Sequence, residues 1–206
     1  MTTPTKTYPV NLRGELTIPP GRWIWLFKWL LAIPHWFILM FLTIASFFCW
    51  IIALFAILFT GKYPKGLFDF NLGVLRWWWR VGFYSYQALG TDKYPPFSLN
   101  PDPSYPADLD AQYPERLSRG LVLVKWWLLA IPHWIVVGIF QGGYGGRGGG
   151  GLTMILAIIG AIVVLFTGKY PKDLFKLVIG MNRWSFRLYA YVLLMTDEYP
   201  PFRLED

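Results

Sequence analysis

One cysteine, two histidines and few charges limit what this chain of 206 residues can do. With Cys49 alone, no intramolecular disulfide and no cysteine metal cluster can form. Cys49 reads as a small buried or lipid-facing side chain. Only 15% of the residues are charged, against about 25% in ordinary soluble domains. Most acidic residues fall in linkers and tails (Asp102, Asp108, Asp110, Glu205, Asp206). No histidine–carboxylate or serine–histidine set and no zinc-ligand spacing is visible, so neither an enzyme nor a metal site is expected. The glycine run at 141–151 lacks the lysine–serine/threonine ending of a phosphate loop. The first 22 residues are polar and proline-rich without an apolar leader core, so insertion is expected to use later segments.

Apolar surface is what the chain has instead. It is 55% hydrophobic and 19% aromatic, with 12 tryptophans. From Trp29 to Phe59 there is no Asp, Glu, Lys or Arg. As a helix that stretch is roughly 45 Å long, more than the ~30 Å hydrocarbon core of a bilayer. The composition therefore predicts an all-α integral membrane protein. The net charge of +7 comes from lysines and arginines flanking the oily segments. That placement points to anionic lipids and away from nucleic acid.

The chain is a tandem repeat. "YPVNL" at Tyr8–Leu12 is echoed by "YPADL" at Tyr105–Leu109, and "WLLAIPHW" occurs at Trp29–Trp36 and Trp127–Trp134. "FTGKYPK" at Phe59–Lys65 returns at Phe166–Lys172. Arg76-Trp77 and Arg80 return as Arg183-Trp184 and Arg187, and "TDKYPPFSL" at Thr91–Leu99 as "TDEYPPFRL" at Thr196–Leu204. Two units, 1–100 and 101–206, meet at the turn-rich "NPDPS".

Each unit is read as a transmembrane hairpin followed by an aromatic, arginine-bearing helix lying in the membrane interface. The hairpins are placed at about 21–60 and 118–167, and the third helices at about 65–90 and 172–195. The glycine insert, 141–151, would break a lipid-facing helix, so it is assigned to the tip of the second hairpin. The matching turn in the first falls near Thr43–Ser46. A competing reading makes the third helix a further membrane helix with its arginines turned toward protein. Basic residues at the open ends (Arg13, Arg22, Lys28, Lys62, Lys65; Arg116, Arg119, Lys125, Lys169, Lys172), with only Arg147 at a tip, place both termini in the cytoplasm. A cysteine at Gly146 should then be labelled from outside.

With these motifs in view, the chain resembles the bacterial family catalogued as domain of unknown function 4389, in two copies. "KWLLAIPHW", "FTGKYPKGLFDF", the Arg-Trp pair and "TDKYPPFSL" carry the resemblance. Unit two opens with the usual "YPERLSRG", whereas unit one has "LTIPPGRW". The resemblance implies a bacterial membrane protein and supplies no activity or catalytic residues; with the hairpins and charges above, a multi-pass protein of the inner (cytoplasmic) membrane is expected.

Candidate site residues follow from polarity in oily surroundings. His35 and His133 lie well inside their helices, beside Pro34 and Pro132. Each proline leaves a carbonyl four residues back without its donor, and a neutral histidine can serve such a gap. Alternatively the two rings face each other across a pseudo-twofold axis and hold haem or chlorophyll. Arg76 with Arg80, and Arg183 with Arg187, share a helix face at i,i+4 and suit a lipid phosphate or an acidic partner. Gly61 and Gly168 are expected as left-handed helix stops, with Lys62 and Lys169 reaching toward headgroups. "YPPF" is expected to end each third helix and dock back on the membrane interface, or alternatively to serve as a docking peptide for a partner. These features point to a non-enzymatic membrane scaffold or accessory subunit. It would pack against anionic lipids and other membrane helices, in a larger complex or a homo-oligomer. The alternatives are a haem- or chlorophyll-binding subunit, or a small transporter or channel using Thr43, Ser46, Thr153 and the histidines.

Overall fold

A computed structural model describes residues 8–16, 20–143 and 150–205. Strand β1 (Val10–Gly14) is followed in the chain by a 3-10 turn (Ile24–Leu26), by α1 (Lys28–Thr60) and by α2 (Lys65–Tyr84). The second unit repeats the plan: β2 (Ala107–Ala111), then α3 (Leu121–Val124), a π turn (Lys125–Leu129), α4 (Ile131–Gln141), α5 (Leu152–Thr167) and α6 (Lys172–Val192).

The first expected hairpin is one helix. Thr43–Ser46 contains neither glycine nor proline, and the Thr43 hydroxyl donates to the Leu39 carbonyl one turn back. α1 therefore runs 33 residues, about 50 Å, without a turn. It stops at Gly61, whose φ of 72° is left-handed and whose N–H donates to the Ile57 carbonyl. Gly168, at 73°, ends α5 likewise. α1 buries a narrow seam (Lys28, Ala32, His35, Leu39, Ser46, Ala53, Ile57) at helical spacing. The rest of its surface is open and apolar.

The second expected hairpin is also absent. The Leu117 N–H donates to the Gly61 carbonyl, so α3 begins where α1 ends. Gly168, at the end of α5, lies against the Arg22 side chain, where α1 begins. Together α3, the π turn, α4 and α5 therefore cover the length of α1, in the opposite direction. The start of α5 abuts the end of α4: Gly151 touches the backbone of Phe140–Gly142, and the Thr153 hydroxyl donates to the Phe140 carbonyl. The described ends of the glycine insert, Gln141–Gly143 and Gly150–Gly151, thus lie side by side in the middle of a rod. Arg147 and the labelling position Gly146 lie outside the described residues. Because Lys28 and Lys62 sit at opposite ends of one helix, the charge argument for the sidedness of two hairpins loses its premise.

The prolines act unequally. α1 continues through Pro34, and the Tyr94 hydroxyl donates to the Leu31 carbonyl beside the gap. In unit two the helix bends by 45° at Ala130, with Pro132 in the first turn of α4, where its missing N–H costs nothing. Unit two also carries one extra residue: seven steps separate Lys28 from His35, but eight separate Lys125 from His133. The π turn at Lys125–Leu129 absorbs it, so lysine and histidine are buried in both units. The extra side chain, Trp126, meets Trp50 edge-on at 5.2 Å.

Strands β1 and β2 pair antiparallel, which amends the all-α expectation with a small ribbon. Leu12 faces Leu109, its own counterpart in the repeat. A pseudo-twofold axis therefore passes through that pair, as in an isologous dimer interface. Tyr8 and Tyr105, the repeated YP tyrosines, reach across it: Tyr8 donates to the Glu198 carbonyl and Tyr105 to that of Lys93. Burial pushes both phenols up, so they remain uncharged donors.

The third helices are not peripheral. In α2 nearly every residue from Asn71 to Tyr84 is buried, and α6 is buried similarly. Trp79 of α2 packs on Phe186 of α6, and its indole N–H donates to the Arg13 carbonyl on the ribbon. The arginines thus turn toward protein, as in the competing reading above.

Candidate functional site

The repeated motifs meet in one place per unit. Lys28 and His35 project from the seam of α1. After α2 the chain turns through Leu89, a buried leucine with a left-handed φ of 50°, and returns as a strap, 91–99. Leu194, at 66°, makes the same turn in unit two. A leucine tolerates this conformation at a cost of roughly 1–2 kcal/mol, so tertiary contacts must hold the strap down.

Those contacts are specific. The Lys28 ammonium donates to the Thr91 carbonyl at 2.6 Å, pairs with Asp92 at 2.8 Å and lies over the Tyr84 ring. Asp92 also accepts from the Gly21 backbone N–H. Phe97 stacks on His35 at 4.0 Å, and Tyr94 covers it at 4.8 Å. The Trp77 indole N–H donates to His35 Nδ1 at 3.0 Å, which puts the ring proton of a neutral histidine on Nε2. Unit two repeats this with Lys125, Thr196 and Asp197, and with His133, Trp184, Tyr199 and Phe202. The Trp184–His133 bond is 2.9 Å and the Phe202 stack 4.3 Å. "WLLAIPHW" and "TDxYPPF" recur together because they are two halves of one clasp.

The clasp decides what the histidines can do. Both are fully buried, and each is enclosed by aromatic rings of its own unit. The two rings do not form a facing pair: each is packed within its own unit, its Nδ1 is taken by an indole N–H, and its Nε2 is buried. Nor does His35 fill the proline gap. Among the described residues no group of three or more His, Cys, Asp or Glu side chains could hold a metal ion. Trp77→Phe should leave the buried Nδ1 acceptor without its donor and cost about 1–3 kcal/mol. Thermal unfolding in detergent would measure it. His35→Phe combined with Trp77→Phe should cost less than Trp77→Phe alone.

The arginines grip the same straps from the other side. Arg76 donates to the Leu99 and Leu109 carbonyls, both at 2.9 Å, and pairs with Asp108 at 3.0 Å. Arg80 donates to the Ser98 carbonyl and shares Asp108 at 3.2 Å. In unit two Arg183 donates to the Leu204 carbonyl and Arg187 to that of Glu205. Gly73 and Gly180 permit this approach, since a Cβ there would lie 2.7 and 2.8 Å from Leu99 and Leu204. The expected lipid-phosphate role of these arginines is thus replaced by internal bonds to straps and ribbon. Lys62 and Lys169 differ: both are exposed beside their helix-ending glycines. Sequence reasoning passed over Lys28, Lys125, Asp92 and Asp197 as binding partners. The signal was available, because a lysine precedes each WLLAIPHW stretch and an aspartate opens each strap.

The hydroxyls proposed for a polar path are occupied as well. Thr43 donates to Leu39, Ser46 to Asn71 and Thr153 to Phe140. A cavity of about 590 Å³ lies between α1 and α6, lined chiefly by apolar and aromatic side chains including Trp50, Trp78, Trp126 and Tyr189.

Among the described residues one helix, Lys28–Thr60, is long and apolar enough to cross a membrane, and the bent pair Leu121–Leu129 with Ile131–Gln141 reaches that standard together. No curated protein and no solved structure matches the chain. The model of a domain of unknown function (DUF4389) matches residues 22–98 and again 121–203, so the two clasps lie within two copies of one domain. The chain belongs to the DUF4389 family, as a tandem of two copies.

Proposed function

We propose that this protein is a non-enzymatic membrane scaffold or accessory subunit, held in the bilayer by its two rods. The observation that carries this reading is the open surface of α1. Its best 18-residue window has a mean hydropathy of 2.6, and only 17% of that window is buried within the protein. Trp29, Phe37, Phe41, Phe48 and Phe55 all stand outward. At about 25 cal/mol per Å² such a surface is too costly to leave in water, and lipid or other membrane helices are its natural cover. The side chains that chemistry would need are instead used in the clasps, which favours a structural role over an enzymatic one. The exposed Lys62, Lys65 and Lys169 at the rod ends suit anionic headgroups.

Membrane fractions should retain the protein through a carbonate wash. Purification from native membranes in mild detergent should bring down lipid and either a second copy or a partner membrane protein. A monomer recovered from the soluble fraction, free of lipid, would sink the proposal. The same preparation should be colourless; a stoichiometric haem or chlorophyll spectrum would restore the pigment-binding alternative.

A further inference from the structure

We propose that the two rods lie in the plane of the membrane, embedded in one leaflet, rather than crossing it. This rests on the membrane reading above and adds the direction of insertion. Three observations carry it. The first is length. The uncharged stretch from Trp29 to Phe59 is roughly 45 Å of helix, so spanning a ~30 Å core would need a tilt of roughly 50°. Membrane helices tilt by about 0–40°.

The second is direction. α1 ends where α3 begins, and α5 ends where α1 begins, so the rods run antiparallel. The pseudo-twofold axis that exchanges them is therefore perpendicular to both and crosses them near mid-length. Crossing rods would put that axis in the membrane plane, at the depth of the bilayer centre.

The third is what sits on the axis. The ribbon centred on Leu12 and Leu109 carries Asn11, Glu15 and Asp110 on its open surface, and the Asp110 side chain is 80% exposed. With crossing rods, these exposed polar groups would lie at the bilayer midplane, facing lipid, where charge is least tolerated. With the axis along the membrane normal the conflict vanishes. Both rods then lie at one depth, and the ribbon faces water. The apolar surface covers most of the circumference of α1, so it sits below the headgroups rather than half in water as an ordinary amphipathic interfacial helix does.

The two orientations predict different sidedness. Lys65 follows the end of α1 and Lys172 follows the end of α5, so these residues mark opposite ends of the antiparallel pair. In a Cys49→Ser background, Lys65→Cys and Lys172→Cys would be probed separately with a membrane-impermeant maleimide. The substrates are right-side-out and inverted vesicles of the host membrane. In-plane rods expose both positions on the same side. Crossing rods expose them on opposite sides, and that result would overturn the proposal.

Nitroxides at Ile33, Met40, Phe48 and Phe55 supply a second readout, since all four side chains stand outward. Oxygen and a water-soluble nickel chelate should report one common depth. A profile deepest at Met40 and Phe48 and shallow at Ile33 and Phe55 would also overturn it. If all four are as open to the chelate as a soluble helix, and the protein washes off, the membrane reading itself has failed.

Discussion

Replacing Asp92 with alanine should destabilise the detergent-solubilised protein by about 3–5 kcal/mol, the usual cost of breaking a buried ion pair from one side. Lys28 is wholly buried, and its ammonium would keep only the Thr91 carbonyl and the Tyr84 ring. Asp92 is about one-third exposed, so losing the lysine instead leaves a carboxylate that water can reach. Lys28→Met should therefore cost less than Asp92→Ala. The double variant should recover most of the loss, because a methionine in that seam has no charge to strand. Denaturant unfolding of all three would give the coupling energy. Equal losses in Asp92→Ala and the double variant would mean that the pair is not what holds the strap. Asp197 and Lys125 offer the same test in unit two, and agreement between the units would be an internal replicate.

Cutting the chain at the linker should produce two halves that need each other. Residues 1–100 and 104–206, expressed together, should copurify as a one-to-one complex; either half alone should aggregate or be degraded. The interface between them resembles a domain core more than a contact between finished domains. It includes the ribbon, with one strand from each half, and the tyrosines that cross it. It also includes the Trp79–Phe186 contact and the junction of Leu117 with Gly61. A half alone would leave a strand edge unpaired and expose residues that are now fully buried, such as Leu109 and Val178. Size-exclusion chromatography with a tag on one half would read the outcome. Two independently soluble, monomeric halves would contradict the fold described here.

What could be read in advance followed the physics of each feature. The repeat, the oily helices and the left-handed glycines are local, and the sequence states them directly; YPPF was expected to end the third helices, but α2 and α6 stop at Tyr84 and Val192, and the motif packs on a distant histidine. The hairpins failed because a glycine run says where a helix cannot continue facing lipid but not where the chain goes afterwards. The decisive facts, Leu117 at Gly61 and Arg22 at Gly168, are contacts between distant residues. The arginines at 76 and 80 show the same limit. Their spacing gives a shared face, but whether that face meets phosphate or Asp108 depends on a strand from the other unit. For the histidines the sequence pointed to a proline gap, whereas their partner is an indole donor on a later helix of the same unit. The extra tryptophan was legible as an eight-for-seven spacing, and a π turn is how a helix keeps both flanking residues in place.

Joining two copies in one chain has a consequence for the ribbon. When two separate identical chains pair about an axis, every change appears on both sides at once. Here each side can change alone. Asp108 serves both Arg76 and Arg80, but its counterpart one strand away is Asn11. Trp78 faces Thr43 in one unit, whereas Ser185 and Gln141 meet in the other. The fused pair keeps a dimer's frame while its two faces differ, so a partner that settles on the assembly can bind once, in one orientation, where a true symmetric dimer would bind it twice.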